Sequence, residues 1–336
     1  MTDMLLQAYV PLLGWTVLGF LLFLVLPDQV PRLLGRALFW VGVPLEILAL
    51  TRQTRFSAEV GLSPAFTIAV LLVSIPMAWF ALQALRRVNP SAPEPAYPDT
   101  GQAWNVQLGW ENQSRQGSFL ISSAIGNTGF VGLAIAPIFV SDSHLSWIVS
   151  YSVTHNIVGT YGLGVLIASY FGRSAPTRRW WMILRDVLTV PSLWAFGVGV
   201  ATQNVPLPLP LETGLHASVG IVIPLALALL GMRISQIRGW QSLRLSLLPA
   251  AIKVLVLPAL VGLVASEMGL ASDARLALVL MSGMPTAFAG LILAEEYDLD
   301  RDLIASSIVL TTGLLVLTIP LWLMGFGAQG WGAIAR

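Results

Sequence analysis

Two stretches, Gly126-Asn127-Thr128-Gly129-Phe130-Val131-Gly132-Leu133 and Met284-Pro285-Thr286-Ala287-Phe288-Ala289-Gly290-Leu291, set amides, hydroxyls and helix breakers inside long apolar runs. Polar and helix-breaking residues are poor choices against lipid and need a role there. Glycine loosens a helix, and proline deletes an amide donor and clashes with the preceding turn. A helix weakened at Gly126, Gly129 and Gly132, or at Gly283, Pro285 and Gly290, frees backbone N–H and C=O groups in mid-membrane. The N-terminal end of each half-helix then presents unpaired N–H groups at the positive end of a dipole, which suits a carboxylate. On this reading Asn127, Thr128 and Gly129 from the first stretch and Pro285 and Thr286 from the second form a substrate site. The side chains of Asn127, Thr128 and Thr286 add hydrogen bonds at the same depth. The other reading is close helix packing at small residues and a plain proline kink. The stretches match position by position at a spacing of 158 residues, Asn127 over Pro285, Thr128 over Thr286 and Phe130 over Phe288. Isolated packing glycines do not require such a match.

Ionisable residues inside apolar runs are functional candidates by default. Lys253 lies between Pro249 and Pro258, too deep to snorkel to the interface. It would supply positive charge to an anion or titrate as a coupling group; the alternative is a structural pair with a carboxylate such as Glu46. Glu46 reads as a proton-coupling site or as a residue lining an aqueous crevice. Asn156 stands beside His155, and Asn156 is the better substrate ligand because an amide contacts substrate without titrating. His155 then satisfies an interhelical hydrogen bond, and Glu295 and Glu296 read as a solvated helix end. Zero cysteines and three scattered histidines offer no disulfide, thiol nucleophile or clustered metal site. No His-Glu-x-x-His and no phosphate loop ending in Gly-Lys-Ser/Thr occurs, so no enzyme, cofactor or ATPase is expected.

The elements that hold these residues follow from composition. The chain has 336 residues, 56% hydrophobic and 10% charged, which is the habit of an integral membrane protein, and its net charge of +1 is too small for nucleic acid. Apolar windows of about 20 residues predict ten transmembrane helices near 5–26, 33–50, 64–85, 118–140, 145–171, 187–205, 211–231, 244–268, 274–296 and 303–327. Most arginines then fall in loops on one side, and only Arg52, Arg55, Arg275 and Arg336 fall on the other. Basic residues gather on the cytoplasmic face, so both termini are expected outside it. The N-terminus lacks a basic leader, so the first helix is expected to be retained. Trp180, Trp181 and Trp331 fit interfacial belts. A proline-rich cytoplasmic loop covers 86–116, and a seam near 171–185 separates two units, 1–175 and 176–336.

The units repeat. Pro11 and Pro191 stand 180 residues apart, as do Pro44 and Pro224, and Pro76 and Pro258 stand 182 apart. The offset falls to 158 at Asn127 and Pro285 if the proline-rich loop is an insertion in the first half. Five crossings per half is odd, so the repeat is inverted. Inverted repeats place substrate near the bilayer midplane, where discontinuous helices of the two halves meet.

The motifs Gly126 to Leu133, Pro191 opening the sixth helix, Pro224-Leu225-Ala226-Leu227-Ala228-Leu229-Leu230-Gly231, Met284-Pro285-Thr286-Ala287, Ala294-Glu295-Glu296-Tyr297 and Thr311-Thr312 occur in order. With them the chain resembles the auxin efflux carrier family, which includes plant auxin carriers and bacterial malate or malonate permeases. The resemblance runs across nearly the whole chain. It implies ten helices in two inverted five-helix repeats, a scaffold of helices one, two, six and seven, and crossed, broken helices four and nine in a transport domain. Asn156 matches the family's polar position in helix five. Ala134 stands where the family has proline, with Pro137 three residues on, which puts the first break at Gly129 and Gly132 or slightly displaced. The function implied is secondary transport of a small organic anion by an elevator-like or rocking motion, in the plasma or inner membrane. Proton coupling and a homodimer are compatible with it. The competing readings are a sodium-coupled carrier resembling the bile acid symporters and a membrane sensor that binds ligand without moving it.

Overall fold

A computed structural model describes residues 2–27, 29–53, 61–88, 109–172, 181, 188–189, 191–235 and 241–327. Most of the proline-rich loop, most of the seam between the units, and Arg55, Trp180, Trp331 and Arg336 lie outside the described residues. The described chain is helical: α1 Thr2–Phe23, α2 Val30–Arg52, α3 Leu62–Val88, α4 Gln113–Ala124, α5 Thr128–Ile138, α6 145–171, α7 Pro191–Ala201, α8 Leu209–Ser235, α9 Leu247–Glu267, α10 Ser272–Ser282, α11 Phe288–Tyr297 and α12 Arg301–Phe326. Of these, α1, α2, α3, α8, α9 and α12 are long and apolar enough to cross a membrane. The predicted windows at 118–140 and 274–296 each become two helices. Helix α6 has the length but carries His155, Asn156, Thr160 and Tyr161 in its middle.

Helices α1, α2, α7 and α8 pack mainly on one another, and the remaining helices form a second bundle beside them. The tightest seam joins α1 to α8. A Cβ on Gly19 would lie 1.9 Å from the Ala228 carbonyl oxygen, and one on Gly231 1.8 Å from that of Thr16. The backbones therefore meet through glycine, the usual solution where lipid offers no hydrophobic drive to association.

Prolines shape the long helices in two ways. In α12, Pro320 has no amide for the Val316 carbonyl four residues back, and the Tyr9 hydroxyl of α1 donates to it at 2.9 Å. In α2 and α9, Pro44 and Pro258 each follow a widened π-turn, Leu38–Gly42 and Ile252–Val256. Such a turn accommodates a proline ring that would otherwise collide with the turn before it. The second bundle is locked at one end by Arg115, whose Nε donates to Asp300 at 2.9 Å while Asp300 Oδ1 caps α12 through the Leu303 amide at 3.0 Å.

Candidate functional site

The two broken segments meet. Helix α4 ends at Ala124, Ile125 is extended, and Gly126 pairs with Thr286 in an isolated antiparallel bridge. Around it the Asn127 amide donates to the Pro285 carbonyl at 2.6 Å and the Ala287 amide to the Ile125 carbonyl at 3.0 Å. The chain thus breaks at Gly126, the first of the three glycines. Gly129 and Gly132 fall after the break, in the π-turn that starts α5, and Pro137 sits in its final 3-10 turn. The second segment breaks at 283–287, and Gly290 lies inside α11, where a Cβ would come 2.9 Å from Ile121 Cγ2.

Each break frees groups that the rest of the fold then takes up. In an unbroken α4 the Gly126 amide would close on the Ser122 carbonyl. Instead it donates to His155 Nε2 at 3.3 Å, and the Thr286 hydroxyl donates to Ser122 at 2.9 Å. In an unbroken α10 the Thr286 amide would close on the Ser282 carbonyl. Instead it donates to Thr311 Oγ1 at 3.0 Å, and Lys253 Nζ donates to Ser282 at 2.6 Å. A Cβ on Gly126 would stand 2.9 Å from Cε and Nζ of Lys253, so glycine is what lets the lysine chain reach across behind the bridge.

The half-helix N-termini differ. At α5, Asn127 Oδ1 accepts from the Phe130 amide at 3.2 Å and caps the helix. At α11 the capping position is Ala287, which has no side-chain acceptor, so the amides of Phe288 and Ala289 are left without a side-chain cap. Both ends border a pocket between the bundles. Its inner wall carries Asn127, Gly129, Asn156, Phe288 and Ala289, and Val43, Ser192, Leu229 and Arg233 close it from the α2, α7 and α8 side. Asn156 Nδ2 sits 3.2 Å from where a Cβ on Gly129 would be, so the amide packs against that glycine. Arg233 Nη1 stands 3.9 Å from Glu295 Oε1.

Of the residues singled out in the sequence, Asn127, Gly129 and Asn156 line the pocket. Thr128, Pro285, Thr286 and Lys253 belong to the crossing itself. The Thr128 hydroxyl is fully buried and without a hydrogen-bond partner among the described residues, and Thr286 is fully buried with its hydroxyl on Ser122. Glu46 is fully buried in α2, its two carboxyl oxygens have no hydrogen-bond partner among the described residues, and Lys253 pairs with a backbone carbonyl rather than with it. His155, expected only to satisfy a neighbour, holds the break through Gly126 and lies parallel to the Tyr151 ring with centroids 6.0 Å apart. Arg233 and the two α11 amides escaped the sequence reading. Arg233 counted only as a loop arginine, although it stands two residues after Gly231 at the end of an apolar helix, and Ala287 at a capping position was the available sign of an open helix end.

Residues 177–323 match a family profile described as a membrane transport protein. The chain is similar to an uncharacterized transporter of Methanothermobacter thermautotrophicus, 24% identical over 229 residues, which cover 67% of this chain and 68% of that one. It is also similar to an uncharacterized transporter of Methanocaldococcus jannaschii, 26% identical over 211 residues, covering 61% and 67%. The chain is thus similar to membrane transport proteins, and the apolar helices among its described residues are those of a multi-pass membrane protein.

Proposed function

We propose that the chain is a secondary transporter, a permease for a small organic anion such as a carboxylate, which it binds in the pocket beside the crossing of α4–α5 and α10–α11. The observation that carries this reading is the pair of amides at Phe288 and Ala289, uncapped by any side chain and bordering a pocket that also holds Asn127, Asn156 and Arg233. An uncapped helix end facing a cavity favours negative charge, and a neighbouring guanidinium adds to that preference. Asn127 has its oxygen committed to the Phe130 amide, so Nδ2 is its remaining donor for a ligand. Thr128, Pro285 and Thr286 shape the crossing, and Gly129 gives Asn156 its place.

The fold we infer for this role is ten crossings in two inverted five-helix units, 1–175 and 176–336, with α4–α5 as the fourth and α10–α11 as the ninth. The bundle of α1, α2, α7 and α8 serves as the fixed scaffold, and the crossing moves against it in alternating access. Arg233 lies at the arginine-rich end of the helices, so with that end cytoplasmic and both termini outside, the pocket opens inward. The test is flux of a panel of small carboxylates into vesicles reconstituted with the pure protein. Saturable flux of one of them, lost in Asn127→Asp, is the expected result. Equal flux in wild type and Asn127→Asp would remove the site.

A further inference from the structure

Lys253 is a buried ionisable group that the anion pocket leaves unused. It is 1% exposed, sits in the π-turn of α9 and does not border the pocket. Its acceptor is the carbonyl of Ser282, the last residue of α10, and therefore the negative end of that half-helix. The carbonyl is free because Pro285 offers no amide and the Thr286 amide goes to Thr311. Helix C-termini and unwound carbonyls of this kind are where transporters built on broken helices hold their coupling cations. The corresponding carbonyl of the first break, Ser122, is taken by the neutral hydroxyl of Thr286, so the cationic partner is confined to one side of the crossing. The lysine chain reaches that spot across Gly126, where a Cβ would stand 2.9 Å from Nζ.

We infer that the Lys253 ammonium is a resident cation: it occupies, as part of the chain, the place at the end of α10 where a coupling sodium ion would sit, and it ties α10 to the Gly126 break without an external ion. The consequence for coupling rests on the crossing being the transport site: such a carrier runs without a sodium gradient. Lys253 is then a positioning residue rather than a ligand of the substrate.

The test needs no substrate and reads the melting temperature of the purified full-length protein. Wild type is expected to melt at the same temperature in sodium, potassium and choline chloride at equal ionic strength. Lys253→Ala, which removes the ammonium and leaves a cavity, is expected to melt several degrees lower and to recover most of the loss in propylammonium or sodium chloride but not in choline. Lys253→Met fills the cavity with an apolar chain and is expected to lose stability and recover none. A saturable rise of the wild-type value in sodium overturns the inference even if neither variant survives purification. So does Lys253→Met as stable as wild type, or Lys253→Ala that neither cation restores. Failure of the anion pocket appears elsewhere, as wild-type protein that no carboxylate stabilises, and leaves these cation responses as they are.

Discussion

At the scale of single residues, side chains at one depth divide between holding the crossing and facing the pocket. Asn127 does both, with Oδ1 on the Phe130 amide and Nδ2 left over. Asn127→Ala loses a helix cap, about 1 kcal/mol of stability, together with a ligand donor, and is expected to weaken anion binding about tenfold, or ~1.4 kcal/mol. Asn127→Asp keeps the cap and sets a carboxylate against the anion, so its melting temperature should stay near wild type while binding disappears. Thermal melts paired with a binding titration separate the two variants. Thr286 behaves differently. Thr286→Val leaves the buried Ser122 carbonyl unpaired, a loss of roughly 1–3 kcal/mol, but the hydroxyl does not border the pocket, and anion affinity is expected to hold. A Thr286→Val protein of normal stability that no longer binds would reverse that division of roles.

At the scale of elements, the breaks were legible because glycine and proline announce them in sequence. Gly126 and Pro285 mark both, and the 158-residue spacing of Asn127 and Pro285 pairs the two stretches. What the sequence could not show is how each freed group is satisfied. That Ser282 receives Lys253 while Ser122 receives Thr286 depends on a contact between helices far apart in the chain, and periodicity carries no signal for it. Of the expected positions, Gly126, Gly129 and Gly132, the break falls at the first for a local reason: Asn127 can cap a helix that begins at Thr128 and cannot cap one that begins later. The α1–α8 seam is similarly hidden, since nothing separates Gly231 from other glycines of α8 until Thr16 is seen against it. Gly231→Val drives a side chain into that backbone and is expected to cost at least the ~1–3 kcal/mol of an overpacked core, seen as loss of monodisperse protein after extraction. Gly220→Val on the same helix, with nothing within 4 Å of its Cβ, should extract like wild type.

At the scale of the whole molecule, the pocket lies between two bundles, and the alternating access proposed above requires them to move relative to each other. Phe130 of α5 touches the small apolar cluster of Leu38, Val222, Ala226 and Leu229, so one side chain of the crossing rests against α2 and α8. The chain contains no cysteine, which makes it a clean background for paired thiols. Phe130→Cys with Leu229→Cys, bridged by a short bifunctional thiol reagent, should stop flux and spare anion binding, and flux undiminished after complete cross-linking would deny motion at this seam. The central claim, that the crossing holds an anion, is tested most directly by the melting temperature of wild type and Asn127→Asp across a panel of small carboxylates and their methyl esters. A saturable rise with at least one free carboxylate, absent for its ester and absent in Asn127→Asp, is the expected result; a carboxylate that stabilises both proteins equally, or none that stabilises wild type, would contradict it.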